Sequence, residues 1–210
     1  MARDWLAWHD DYDQPGSALA ARLAEVREQV RAALDRAPAG PLRVISACAG
    51  QGRDLIPVLA THPRRDDVTA RLVELDPRNA AVAEDAARVA GLSGVQVLVG
   101  DAAVTDAYAD LVPADLVLLC GVFGNVSDAD VRATVGHAAA LCASGGTVIW
   151  TRHRREPDLV PTICGWFTQE GFAPVAVGTP ADRVGVGVHR HLGRPRPLPP
   201  GVTMFHFLTR

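Results

Sequence analysis

"RVISACAGQGRDL", residues 43–55, decides how this chain folds. The apolar run through Val44, Ile45 and Ala47 reads as a buried strand. Gly50 and Gly52 then break the extended pattern, and helix-compatible residues follow from about Arg53 to Thr61. A strand, a glycine turn and a helix in that order open a βαβ unit. Glycines at such a turn permit tight bending and let backbone N–H groups approach a ligand closely. A plain strand–helix turn that simply needs flexible residues is the competing reading. A dinucleotide fingerprint would place a third glycine where this chain has Leu55, which counts against NAD or FAD.

Outward from that stretch, strand and helix patterns alternate. Upstream, Leu19, Leu23, Val26, Val30 and Leu34 recur at three- and four-residue steps, which predicts a helix over 17–36. Downstream, the pattern predicts strands over 70–75, 95–100, 114–120 and 146–151, with helices over 78–90, 128–142 and 158–170. Asp76-Pro77 suits a helix start, and Ser127 with Asp130 suits a capping box. Five apolar strands alternating with helices predict an α/β domain: a Rossmann-like, mostly parallel sheet with helices on both faces. Three strand-like stretches follow, at 172–177, 184–190 and 202–208, with only loops between them. Such a tail needs at least one antiparallel addition, and a seven-stranded sheet with an antiparallel C-terminal strand is expected. Residues 1–16 read as an arm or lid, and 17–210 as a single domain.

Composition narrows the function. The chain has 210 residues, a formal charge of -3, and arginine in place of every lysine. That charge supplies no electrostatic footprint for nucleic acid. Four dispersed cysteines, with no CxxC pair, read as buried thiols of a reducing compartment. No apolar run reaches the roughly 20 residues of a membrane span, and the acidic N-terminus does not read as a signal peptide. A cytoplasmic location is expected. His189, His191 and His206 lack the spacing of a metal set, and no metal is expected.

Two carboxylates extend the first turn into a site. Glu74 ends the second strand, 22 residues past Gly52, where it can accept both hydroxyls of a ribose. Asp101 follows the third strand on the same edge, where it can accept from an adenine amine while Ala102 offers its N–H. Taken singly, each acid could equally be a turn former or a helix cap. Together they read as a nucleoside site.

With its acidic strand ends and β-rich tail, the pattern resembles the class I S-adenosylmethionine-dependent methyltransferases. Their first motif is a strand ending in Asp or Glu, followed by G-x-G-x-G. The resemblance covers essentially the whole chain from residue 42. It implies S-adenosylmethionine as the cofactor, with Gly50 and Gly52 as the second and third motif glycines, Glu74 on the ribose and Asp101 on the adenine. Cys48 stands at the first glycine and Ser46 at the strand's acid. The turn Cys48-Ala49-Gly50, with Cys120 after the fourth strand, is then expected to meet the methionine end through backbone carbonyls. "CAGQGRD" is similar to a variant of this motif in small bacterial methyltransferases.

Methyl transfer from a sulfonium is an in-line displacement, so placement and water exclusion matter more than a built nucleophile. The expected acceptor is a small molecule rather than nucleic acid, because "CGVFGN" (120–125) lacks the Asn/Asp-Pro-Pro-aromatic tetrad of amino-methylating nucleic-acid enzymes. Phe123 and Asn125 are expected to line the acceptor site, and Arg152 and Arg154 to receive an anionic group. His153 is the candidate base, and Tyr12 and His9 are the arm's candidate contacts. A monomer or homodimer is expected. A nicotinamide-dependent oxidoreductase and a catalytically inactive, methyltransferase-like binding protein remain as alternatives.

Overall fold

The computed structural model describes residues 12, 14, 16–178 and 184–208. In chain order its elements are α1 (Ala18–Arg36), β1 (Leu42–Ala47), α2 (Ile56–Thr61), β2 (Val68–Glu74), α3 (Pro77–Val89), β3 (Val95–Val99) and β4 (Ala114–Leu119). There follow α4 (Asp128–Leu141), β5 (Cys142–His153), α5 (Val160–Gln169), β6 (Phe172–Val177) and β7 (Val184–His191).

All seven strands form one sheet in the order β3-β2-β1-β4-β5-β7-β6. Strands β1 to β5 run parallel, and β7 lies antiparallel between β5 and β6. The order reverses between β1 and β4, which is where an open α/β sheet forms its ligand crevice.

Side-chain alternation explains why both faces are covered. Leu42, Val44, Leu116, Leu118 and Ile149 pack under Val26, Val30 and Leu34 of α1, with α2 and α3 alongside. Ile45, Val117, Leu119, Val148 and Trp150 face the opposite way and pack against α4 and α5. Successive strand residues point to opposite faces, so strands that are apolar at every position need two layers of helices.

The helix starts follow their caps. Ser17 accepts from the Ala20 N–H at 3.0 Å and Asp76 from the Arg78 N–H at 2.9 Å. At the start of α4 the Ser127 hydroxyl accepts from the Asp130 N–H and donates to Asp130 Oδ2, closing a reciprocal cap.

The stretch 202–208 corrects one expectation. It makes isolated bridges, Val104 with Thr203 and Val126 with Phe207, rather than a strand of the sheet. Its partners lie in two separate loops, after β3 and after β4, so no continuous ladder can form. Instead it clamps those loops: Met204 donates to the Ala103 carbonyl at 2.8 Å and Leu208 to the Asn125 carbonyl at 2.8 Å. Among the described residues, no helix is long and apolar enough to cross a membrane.

Candidate functional site

At the tip of β1 the backbone turns through three left-handed residues at alternate positions: Cys48 (φ 54°), Gly50 (φ 56°) and Gly52 (φ 66°). Cys48 is the one residue with a side chain among them, and that conformation costs a non-glycine residue about 1–2 kcal/mol. Neighbouring bonds hold the turn in place. Ala49 donates to the Val73 carbonyl at 3.0 Å, and Gly52 to the Ala49 carbonyl at 2.9 Å. A Cβ on Gly52 would lie 2.5 Å from Ile56 Cδ1 and 2.9 Å from Leu72 Cδ2. Gly52 is therefore where helix and sheet come closest. Leu55, in the slot of a third fingerprint glycine, is a fully buried core residue instead.

The two sequence-predicted acids sit at the neighbouring strand ends. Glu74 is buried, and both its oxygens are fixed by backbone: Oε2 accepts from the Gly50 N–H and Oε1 from the Asp76 N–H, each at 2.8 Å. Each carboxylate oxygen keeps a second acceptor position. Asp101 is exposed, and its Oδ1 accepts from the Ala103 N–H at 2.9 Å, while Ala102 beside it is buried. Burial pushes the Cys48 thiol up, and the charges of Glu74 and Asp101 push it further the same way. One sulfur at the tip of β1 thus senses the carboxylates at the tips of β2 and β3. Leu75, next to Glu74, is 68% exposed, an uncommon setting for a leucine and one the sequence reading passed over.

A second cluster lies at the switch point. The Arg22 guanidinium donates to the Tyr12 hydroxyl, and the guanidinium carbons of Arg22 and Arg53 each lie 5.7 Å from the Tyr12 ring centroid. Burial raises the Tyr12 hydroxyl above its ordinary range. Burial also raises the Cys120 thiol, with Asp54 adding to the rise and Arg22 opposing it. Tyr12, Arg22, Asp54 and Cys120 therefore share one neighbourhood. The sequence reading named Tyr12 and Cys120 but missed Arg22 and Asp54. The one signal for Asp54 was a carboxylate set between Gly52 and the apolar Leu55-Ile56, a position that reads by default as a helix cap. His9 lies outside the described residues.

The residues expected to meet the acceptor are engaged within the fold. Phe123 is fully buried against Trp150, ring centroids 5.8 Å apart. The Asn125 side chain donates to the Gly121 carbonyl at 2.7 Å, and the Gly121 N–H donates to Thr151 Oγ1 at 2.9 Å. Arg152 donates to the Phe123 carbonyl and, at 3.1 Å, to Asp128 Oδ1. Arg154 donates to Asp158 Oδ2 at 2.6 Å and to the Gly178 carbonyl. His153 Nδ1 accepts from the Arg155 N–H at 3.4 Å, and its ring borders Gly124 in the loop after β4. The structure thus gathers Cys48, Gly50, Glu74 and Asp101 on one rim and Tyr12 with Cys120 beside it. It sets Phe123 in the core and turns Arg154 toward the loop after β6.

Strand order and the flanking helices define a known architecture. The fold is that of the Rossmann-like methyltransferases. An O-methyltransferase family protein from Burkholderia thailandensis superposes with a TM-score of 0.66 at 21% identity, covering 89% of this chain and 59% of that one. Magnesium protoporphyrin IX methyltransferase from Synechocystis, solved with bound S-adenosylmethionine, gives 0.64 at 17% identity over 88% of this chain and 89% of that one. An O-methyltransferase family 2 protein from Planctomyces limnophilus, in complex with apigenin, gives 0.58 at 18% identity over 82% and 59%. The chain thus spans less than two thirds of the length of two of these three. At such identities the likeness is one of fold. No protein-family model matches the sequence, and no curated protein matches it.

Proposed function

We propose that this protein transfers a methyl group from S-adenosylmethionine to a small-molecule acceptor. The observation that carries this reading is the double backbone lock on Glu74, which presents a buried carboxylate beside the left-handed turn. The residues present suit the donor. Glu74 keeps acceptor positions for two ribose hydroxyls, Asp101 and Ala102 border the place for a base, and the exposed Leu75 offers it an apolar surface. Two solved relatives in fold, both magnesium protoporphyrin IX methyltransferase, hold S-adenosylmethionine and S-adenosylhomocysteine. When bound, S-adenosylmethionine supplies an electrophilic methyl on a sulfonium.

The work left to this chain is placement. Orienting acceptor and donor can contribute roughly 7–11 kcal/mol toward the barrier. The tail ties the loops after β3 and β4 together through backbone hydrogen bonds, which suits a reaction governed by alignment. His153, beside the loop after β4, is the candidate to take a proton where the acceptor loses one, and Tyr12 is the candidate to close the switch point. The formal charge of -3 favours a small molecule over nucleic acid. Arg152 is the cation best placed for an anionic acceptor, because its partner Asp128 is itself 60% exposed and can be exchanged for a ligand.

Calorimetric titration with S-adenosylhomocysteine and, separately, with NADH tests the reading. Binding of the first and not the second is expected. Binding of NADH alone would replace this function with hydride transfer.

A further inference from the structure

The Arg152 guanidinium, near the end of β5, is held but not saturated. Its side chain is only 10% exposed. Nη1 donates to the Phe123 carbonyl in the loop after β4, a bond that fixes orientation without neutralising charge. Nη2 donates to Asp128 Oδ1 at 3.1 Å, longer than the roughly 2.7–2.9 Å usual for a charge-assisted bond. Asp128 is itself 60% exposed. Arg152 Nε is buried and has no hydrogen-bond partner among the described residues. Leaving a buried N–H of a charged group without an acceptor is costly unless a ligand provides one.

The nitrogens left over identify the acceptor that is missing. Nε–H and one N–H of Nη2 point the same way and form one edge of a guanidinium, which a planar carboxylate meets with two parallel N–H···O bonds. On Arg152 that edge carries one long bond to an exposed aspartate and one unpartnered donor. A carboxylate set squarely on the edge fills both positions and replaces Asp128 charge for charge. A dianionic phosphate calls for further positive charge. Arg154, two residues along, supplies none, because it is 6% exposed and bonded to Asp158 at 2.6 Å. The edge therefore suits a monoanionic carboxylate.

We propose that Arg152 is the specificity-determining residue for a carboxylate-bearing acceptor, its Nε–Nη2 edge receiving the carboxylate in exchange for Asp128. The assignment rests on the methyl-transfer reading above and deepens it by naming the acceptor's chemical class. Arg152 meets the loop after β4 at the Phe123 carbonyl, and His153 borders the same loop, its Cδ2 3.7 Å from the place of a Cβ on Gly124. A molecule anchored on Arg152 is thus held beside the loop that the candidate base borders. The anchored carboxylate is a handle rather than the methylated group, because two charge-assisted hydrogen bonds occupy its lone pairs and weaken it as a nucleophile.

The experiment measures binding of benzoate, its neutral isostere benzamide and phenylphosphonate by ligand-observed NMR, on protein with and without S-adenosylhomocysteine. Benzoate should bind at least tenfold more tightly than either of the others. Arg152→Lys keeps the charge but loses the fork, and should weaken benzoate at least tenfold with S-adenosylhomocysteine affinity unchanged. Asp128→Asn removes the internal competitor, and should tighten benzoate at least threefold while leaving benzamide as it was. Absence of benzoate binding, equal binding of benzoate and benzamide, or a benzoate affinity unmoved by either variant overturns the assignment. Each of these leaves the donor reading intact as long as S-adenosylhomocysteine binds. A preference for phenylphosphonate overturns the carboxylate class. Benzoate bound in the expected pattern by a protein that does not bind S-adenosylhomocysteine overturns the donor reading and supports the carboxylate edge. Should Arg152→Lys not fold, Asp128→Asn decides alone, and an unchanged benzoate affinity there overturns the assignment.

Discussion

The Gly50 N–H donates to Glu74 Oε2 at 2.8 Å, latching the turn after β1 to the end of β2. The Asp76 N–H takes the other oxygen, so Glu74 is oriented by the fold itself. Pre-set acceptors of this kind bind without reorganising, which is the physical basis of preorganisation.

Glu74→Gln replaces one acceptor with an NH₂ group. Both oxygens now face backbone donors, so the amide must set N–H against N–H on one side. A loss of about 1–3 kcal/mol in stability is expected, together with at least tenfold weaker binding of S-adenosylhomocysteine. Thermal melting and calorimetry on the same sample check both effects.

Gly52→Ala should be far more damaging than Gly201→Ala. The two glycines have nearly the same backbone, φ 66° and φ 67°, but nothing lies within 4 Å of a Cβ on Gly201, whereas Ile56 and Leu72 crowd one on Gly52. Strain and overpacking together should cost Gly52→Ala about 2–5 kcal/mol, against about 1–2 kcal/mol for Gly201→Ala. Denaturant titration of both variants separates the two contributions.

Acid should weaken the fold through His189. This ring is fully buried, accepts from Trp150 Nε1 at 3.1 Å and stacks on Phe167, and burial lowers its pKa from 6.5 to about 4. Between those values the unfolded chain binds a proton that the folded chain refuses. The stabilisation is therefore complete above pH 6.5 and is lost as the pH falls toward 4. The loss should reach about 2 kcal/mol by pH 5. Denaturation from pH 7 to pH 5 should show this slope in the wild type, and a flatter one in His189→Gln.

Arg154→Ala should act on stability more than on the reaction. The guanidinium is 6% exposed and joins Asp158 and the Gly178 carbonyl, tying the end of β5 to the end of β6. Removing it should cost about 1–3 kcal/mol, lowering Tm by several degrees, with S-adenosylhomocysteine affinity unchanged. A large change in ligand affinity at constant Tm would assign Arg154 to the site instead.

The fold was legible because its signals are local and repeated. Strand runs such as 114–119, buried at nearly every position, have the pattern that only a doubly covered sheet produces. Asp76 and Ser127 announced their helices through cap chemistry that depends on neighbours alone. The stretch 202–208 misled because alternation reports burial, and here burial comes from clamping two loops rather than from a ladder. At the site, Glu74 and Asp101 were readable from their place at strand ends. The surroundings of Asp54 were not, because only the tertiary fold brings Arg22, Tyr12 and Cys120 to it. The internal engagement of Arg152 and Arg154 was hidden for the same reason: Phe123 and Gly178, whose carbonyls they bond, are distant in sequence.

The most direct measurement is a crystal structure with S-adenosylhomocysteine bound. Both ribose hydroxyls should donate to Glu74 at about 2.7 Å, with its bonds from Gly50 and Asp76 unbroken. A ligand seated away from the tips of β1 and β2, or a Glu74 that meets only its two backbone donors, would contradict the account.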